Sequence, residues 1–156
     1  MTQHSPARIV SVFLIEEELG TDPPDNEDWP VFQGFLSDLE SEAPDDCIVV
    51  YDTVGIKDGR LMDGTQIRHP GIQVMVRSKD GPDGWHKLNE IATAFKSVNR
   101  RSVAMPSDVD EYPLSVNYVI DNLSETAPPI PIGTEPGTKR RMKFVLNCGM
   151  TLREVS

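Results

Sequence analysis

Cysteine is scarce in this chain, with only Cys47 and Cys148 among 156 residues. Two thiols make no disulfide framework, and free cysteine is among the most buried residue types, so both are expected inside a core. Long apolar runs are missing too. The longest, Val10–Ile15, is broken by Ser11 and falls far short of the roughly 20 residues a membrane-spanning helix needs. No basic segment leads into an apolar stretch with a small-residue cleavage site, so no secretory signal is expected. Positive charge is absent from a long stretch: between Arg8 and Lys57 there is no Lys or Arg, yet thirteen Asp and Glu fall there. From Lys57 onward, fourteen basic residues face twelve acidic ones, so the net charge of -10 resides in the first third. A surface of that sign repels phosphate backbones and argues against ordinary nucleic-acid binding. It serves either as a solvated acidic loop or as a surface that must lie near DNA or a basic partner without sticking.

What the chain does contain is a readable series of helix and strand signals. The length suits one compact domain, which buries roughly 70% of its unfolded surface and needs no metal or disulfide staple. Ser5-Pro6 is a helix start, with serine as N-cap and proline in the first turn. Ile9, Val12, Phe13 and Leu19 follow at helical spacing, and Gly20 is the expected stop. Thr21–Trp29 is a proline-rich acidic loop. Val31–Leu39 fits two descriptions: its apolar spacing suits a helix, while Pro30 and Gly34 suit a short bent strand. Cys47–Tyr51 is a short apolar run between turn formers, a buried strand. Gly55, Gly59 and Gly64, with Asp58 and Asp63, mark a protruding loop or hairpin tip. Ile72, Val74 and Val76 alternate with Gln73, Met75 and Arg77, a half-buried strand entered through His69-Pro70-Gly71. After the Asp80–Gly84 turn, Trp85, Leu88, Ile91, Ala92 and Phe95 share one helix face. Leu114, Val116, Tyr118 and Ile120 then alternate again.

The last strand has the clearest pattern. Met142, Phe144, Leu146, Cys148, Met150 and Leu152 hold every second position. At about 3.3 Å per residue this is roughly 35 Å of strand, with Gly149 a candidate bulge. Such a length exceeds the need of a small core, so the strand is expected to leave the domain or pair with another chain. Asn99–Pro113 and Thr126–Thr138 read as linkers. The sum is an α+β fold, a largely antiparallel sheet of four to five strands with two main helices packed on one face. A single domain spans 1–156, with an acidic insert at about 20–46 and a protruding loop at about 55–66. Ile72, Val74, Val76, Trp85, Leu88, Ile91, Phe95, Phe144 and Leu146 should be buried together.

Catalytic signatures are few. Gly133–Lys139 has the residue types of a phosphate-binding loop but the wrong spacing, and no strand-then-helix context surrounds it. There is no G-x-S-x-G, and His4, His69 and His86 are too scattered for metal-ligand spacing. Asp52, Asp58, Asp63 and His69 could hold a divalent cation for hydrolysis, but Asp and Gly are expected in turn-rich sequence for backbone reasons alone. No catalytic residue, metal or cofactor is assigned. The basic clusters, Arg100-Arg101 and Lys139-Arg140-Arg141 with Lys143, suit an ionic contact with an acidic patch on a neighbouring subunit at least as well as nucleic acid.

Three segments carry a family resemblance: HPGIQVMVRS (His69–Ser78), the helix WHKLNEIATAF that follows, and the ending PIPIGTEPGTKRRMKFVLNCGMTL. They resemble the minor capsid or tail terminator proteins of long-tailed bacteriophages. Pro70-Gly71 and Arg77 match that family's strand opening and end, Pro131–Gly133 its late turn, and Arg140-Arg141 its basic entry to the final strand. CIVVYDTVG (Cys47–Gly55) looks like the family's first strand, and in element order the likeness covers residues 1–153.

The resemblance implies a virion protein without an active site: a homohexameric ring at the head-proximal end of the tail, assembled in the host bacterial cytoplasm. Such a ring ends tube polymerisation and joins the tube to the head. Its implied partners are its own copies, the tail tube protein and a head-neck connector or head completion protein, with DNA passing through unbound. A ring needs a head-to-tail pair of surfaces. Arg100, Arg101, Lys139, Arg140 and Arg141 are candidate contacts to acidic surface on a neighbour. Lys57, Asp58, Arg60 and Asp63 are candidates on the projecting loop. Two alternatives stand beside this: another neck protein, for head or tail completion, and an acidic DNA mimic that inhibits a host factor.

Overall fold

Strand-period and helix-period patterns meet on one apolar face, and this sets the architecture. A computed structural model describes residues 4–22, 28–34, 45–64, 66–107, 115–134 and 141–155, with the backbone alone at 57–60. The order is α1 (Pro6–Glu16), β1 (Val31–Gln33), β2 (Cys47–Arg60), β3 (Gln66–Ser78), α2 (Gly81–Lys96), β4 (Arg101–Met105), β5 (Val116–Glu125), β6 (Ile130–Thr134) and β7 (Met142–Val155). Among the described residues the strands form one seven-stranded sheet in the order β1-β2-β3-β7-β5-β4. β6 also pairs with β7, beside its first residues, while β5 pairs with its later ones. All pairings are antiparallel except β1 with β2.

The α+β class stands, but the sheet is larger and mixed. The four-to-five-strand antiparallel expectation missed β4 and β6, which lie in the two stretches read as linkers. Both are five residues long, next to Pro106 or containing Pro131, and too brief to show alternation. Val31–Gln33 resolves as strand; the rest of the ambiguous stretch, from Phe35 to Leu39, lies outside the described residues.

Both helices pack on the same sheet face. Ser5 caps α1 by accepting the Arg8 N–H at 3.2 Å, and Asp52 reaches from β2 to accept the Ala7 N–H at 2.8 Å. Asp80 does the same for α2 through the Asp83 N–H. Ile9, Val10, Phe13 and Leu14 of α1 join Leu88, Ile91, Ala92 and Phe95 of α2 over Ile72, Val74, Val76, Phe144 and Leu146. The Phe13 and Phe95 rings lie 6.0 Å apart and tie the two helices together.

Two core expectations need correction. Trp85 is 40% exposed, because α2 turns Gly84, Leu88, Ile91, Ala92 and Phe95 inward and leaves Trp85 at the margin of that face. Its ring rests 5.8 Å from that of Phe144. β3 is buried on both faces and not on one: Met75 joins Cys47, Val49 and Val145 in a second, smaller cluster.

Gly20 does not end α1, which stops at Glu16. It lies where Trp29–Val31 crosses, and a Cβ there would sit 2.4 Å from Val31 Cγ2. β2 and β3 continue as a hairpin arm through the segment expected as a protruding loop, out to the pair Arg60↔Gln66. Pro70 lies inside β3 and cannot donate to the ladder, and opposite it β2 shifts register between Thr53 and Ile56. The final strand also differs from expectation. β7 is an interior strand, flanked by β3 on one side and by β6 and β5 on the other. Its length is used within its own sheet, and no bulge occurs at Gly149, which pairs in register with Gly71 and Ser124.

Candidate functional site

Several charged groups among the described residues pair with one another within the chain. Arg101 starts β4 and lies over the Phe13 ring at 5.5 Å, with its guanidinium 3.3 Å from Glu16 and 2.8 Å from Glu17. Arg141, expected at a subunit contact, is only 3% exposed, and its Nε donates to Asp45 Oδ1 at 2.8 Å. A guanidinium turned inward in this way is not presented to a neighbour. Asp45 also holds Lys79 at 2.6 Å, and Asp46 accepts from the Ser78 hydroxyl at 2.8 Å. The Lys79 hydrogen bond, with Arg141 beside it, pulls the Asp45 carboxyl below its ordinary value, against the opposing effect of burial. The start of β2 is thereby stitched to the ends of β3 and the approach to β7.

The remaining candidates are dispersed. Arg100 is exposed, at a left-handed φ of 53°, and its N–H donates to the Asp121 carbonyl. Lys139 and Arg140 lie outside the described residues. Lys57, Asp58 and Arg60 are placed by their backbone on the β2 side of the hairpin arm, and Asp63 is exposed at its tip. The acidic segment is held at its near end by Lys87 of α2, whose Nζ donates to the Leu19 carbonyl and lies 5.4 Å from the Trp29 ring.

The possible cation cluster is not assembled. Asp52 is committed to the α1 N-terminus, His69 Nδ1 lies 3.2 Å from Thr151 Oγ1, and Asp63 is at the arm tip. Among the described residues no three His, Cys, Asp or Glu side chains gather closely enough to hold an ion. Both cysteines are buried, and burial, with Glu125 nearby, pushes the Cys148 thiol up to about 12.

What the sheet does offer is surface. On the face away from the helices, Thr53, Gly71, Gly149 and Ser124 form a row of small residues across four strands. They floor an open trough of about 520 Å³, with His69, Asn122, Asn147 and Thr151 among its walls and Val54 and Ile56 at its rim. Gly55 and Gly71 are required by close strand crossing, since a Cβ on either would lie 2.4 Å from a neighbouring oxygen. Gly149 is not: the nearest atom to its Cβ position is Thr126 Cγ2 at 3.8 Å.

A family model for bacteriophage tail terminator protein matches residues 13–122, from the middle of α1 into β5. The chain belongs to the bacteriophage tail terminator family. No curated protein matches it. As a tail terminator it is a structural phage tail protein. Among the described residues no helix is long and apolar enough to cross a membrane.

The apolar surface of this tail terminator is the feature that sequence reading missed. Val54, Ile56, Leu61 and Met62 are exposed on the β2–β3 arm, Val54 at 98% and Met62 at 107%. A second group, Trp85, Ile130, Ile132 and Met142, is exposed where α2 starts and β6 flanks β7. A sequence signal existed for the arm alone: four large apolar residues among glycines and charges, where no core pattern can take them in.

Proposed function

We propose that this tail terminator forms a ring, a hexamer, at the head-proximal end of the phage tail, where it caps the tube, stops its polymerisation and joins it to the neck. The match to the tail terminator family over residues 13–122 carries the reading. Two physical features support it. A ring needs two different surfaces on each copy, and the exposed apolar groups of the arm and of the β6 end are two such surfaces. A channel that passes DNA without gripping it is favoured by carboxylates, and the net charge of -10 concentrated before Lys57 supplies them. The protein acts by assembly, performs no catalysis and needs no cofactor. Its partners are its own copies, the tail tube protein and a head-neck connector or head completion protein, and its place is the virion.

Removing the protein from an infecting phage tests this directly. The expected result is filled heads unjoined to tails, together with tubes of uncontrolled length. Normal-length tails joined to heads in its absence would overturn the proposal.

A further inference from the structure

An aspartate followed by glycine is chemically exposed, because glycine has no side chain to shield its amide nitrogen from the carboxyl before it. This chain has four such pairs: Asp58-Gly59, Asp63-Gly64, Asp80-Gly81 and Asp83-Gly84. For the two groups to react, the aspartate must swing its carboxyl carbon onto the next nitrogen. That requires a backbone able to leave its folded conformation, and the fold treats the four pairs differently.

Two pairs are locked at the start of α2. The Asp80 N–H donates to Ser78 Oγ at 3.1 Å, and the Asp80 carboxylate accepts the Asp83 N–H at 3.3 Å. A Cβ on Gly81 would lie 2.7 Å from Met142 Sδ, which leaves that peptide little room to turn. Gly84 is buried against Phe144, and its N–H donates to the Asp80 carbonyl at 3.0 Å. Asp58-Gly59 runs within β2, between the pairs Lys57↔Arg68 and Arg60↔Gln66 that hold the backbone extended. Asp63-Gly64 differs from all three. It lies past the last pair, at the arm tip, where Leu61, Met62, Asp63 and Gly64 are all exposed. Gly64 sits at φ 88°, and nothing lies within 4 Å of its Cβ position. Its N–H donates to the Leu61 carbonyl at 2.9 Å, a turn hydrogen bond between exposed residues that opens at little cost.

We infer that Asp63-Gly64 is a site of spontaneous modification, at which Asp63 converts to isoaspartate through a cyclic imide. The Gly64 nitrogen gives up its proton and bonds to Asp63 Cγ; the bond from Cγ to the carboxyl hydroxyl breaks, and that oxygen leaves as water. Water then reopens the ring. Attack at Cγ restores aspartate, whereas attack at the Asp63 backbone carbonyl breaks its bond to the Gly64 nitrogen and leaves the chain running through Cβ and Cγ. The product has the same composition and one more methylene in the main chain. The change falls outside the Arg60↔Gln66 pair, so it remodels the tip beside Leu61 and Met62 and leaves the sheet intact.

The other Asp-Gly pairs are controls within the same molecule. The folded chain is aged in warm, mildly alkaline buffer made with isotopically heavy water, then digested and mapped by mass spectrometry. Isoaspartate is identified by its heavy oxygen, its altered elution and its acceptance of a methyl group from an isoaspartate-specific methyltransferase. Asp63 should convert at least about tenfold faster than Asp80 and Asp83, and faster than Asp58, while the melting temperature stays unchanged. In guanidinium chloride the four sites should convert at similar rates, and Asp63→Glu, whose ring would need six members, should abolish the product at that position in the folded chain. Asp63 that stays aspartate in the folded chain, or Asp80 and Asp83 that convert as fast as it does, would overturn the inference. A preference for Asp63 that persists undiminished in the unfolded chain would overturn the role given to the fold.

Discussion

Replacing Asp45 with Asn isolates the interaction that stitches the acidic segment to the sheet. Arg141 is 3% exposed and its Nε sits 2.8 Å from Asp45 Oδ1, so the variant takes a close carboxylate away from a buried guanidinium. Breaking a fully buried pair costs about 3–5 kcal/mol. Asp45 itself is 28% exposed, so water can partly replace it, and the second partner, Lys79, is 58% exposed and adds little. The expected loss is about 2–3 kcal/mol, which for a chain of this length lowers the melting temperature by about 5–10 °C. Calorimetry or urea unfolding at about pH 7 measures it.

The pH dependence carries the sharper test. The Asp45 carboxyl is held below its ordinary value of 3.8 by the Lys79 hydrogen bond and by both cations. A carboxyl depressed in the folded state binds its proton more readily when unfolded. Its contribution is therefore complete above 3.8 and lost as pH falls through the lower folded value. Wild type and variant should differ fully at neutral pH and converge in acid. A gap below about 0.5 kcal/mol at neutral pH, or one that stays constant into strong acid, would refute the reasoning.

Phe95→Ala, at a side chain 1% exposed between α1 and the sheet, should cost about 3–5 kcal/mol in denaturant unfolding; a loss under about 1 kcal/mol would show that this core assignment is wrong. Gly55→Ala should destabilise by about 2–3 kcal/mol, since its Cβ would lie 2.4 Å from the His69 carbonyl oxygen, whereas Gly149→Ala should be neutral or stabilise by up to about 1 kcal/mol, and equal effects at the two positions would contradict the strand crossing. Cys148 should resist thiol reagents at about pH 8 until the chain unfolds, because its thiol is pushed up to about 12. Modification of the folded protein at the rate of a free thiol would count against its burial.

The sequence exposes this fold unevenly, for physical reasons. Long periodic elements are legible: α2, β3 and β7 each repeat their apolar residues often enough to fix a period and a buried face. β4 and β6 are five residues long, and alternation over five residues cannot be told from chance. Trp85 misleads because apolar spacing alone places it with Leu88 and Phe95, while the close approach of Gly84 to Phe144, 2.8 Å from where a Cβ would sit, decides which residue of that turn points inward. Charge misleads in a similar way. The segregation of acid before Lys57 and base after it suggests contact between subunits, yet Glu16, Glu17 and Asp45 bond to Arg101, Arg141 and Lys79 of their own chain. Opposite charges far apart in sequence are as available to folding as to assembly, and only the three-dimensional path of β4 and β7 distinguishes the two.

The long final strand shows how a correct pattern can carry a wrong consequence. Its alternation was legible, but its length suggests an exported edge only if the sheet is small. In a seven-stranded sheet β7 is the interior strand on which the others are arranged, with β3 along one side and β6 and β5 sharing the other. A strand shared in this way must be long, because two partners are set end to end along it. Exposed apolar surface then falls to the elements β7 does not cover, which are the distal part of β2 and the outer side of β6. Those are the places where Val54, Ile56, Ile130 and Ile132 are exposed. The strand whose length suggests an exported edge instead sets the separation between these two exposed apolar groups.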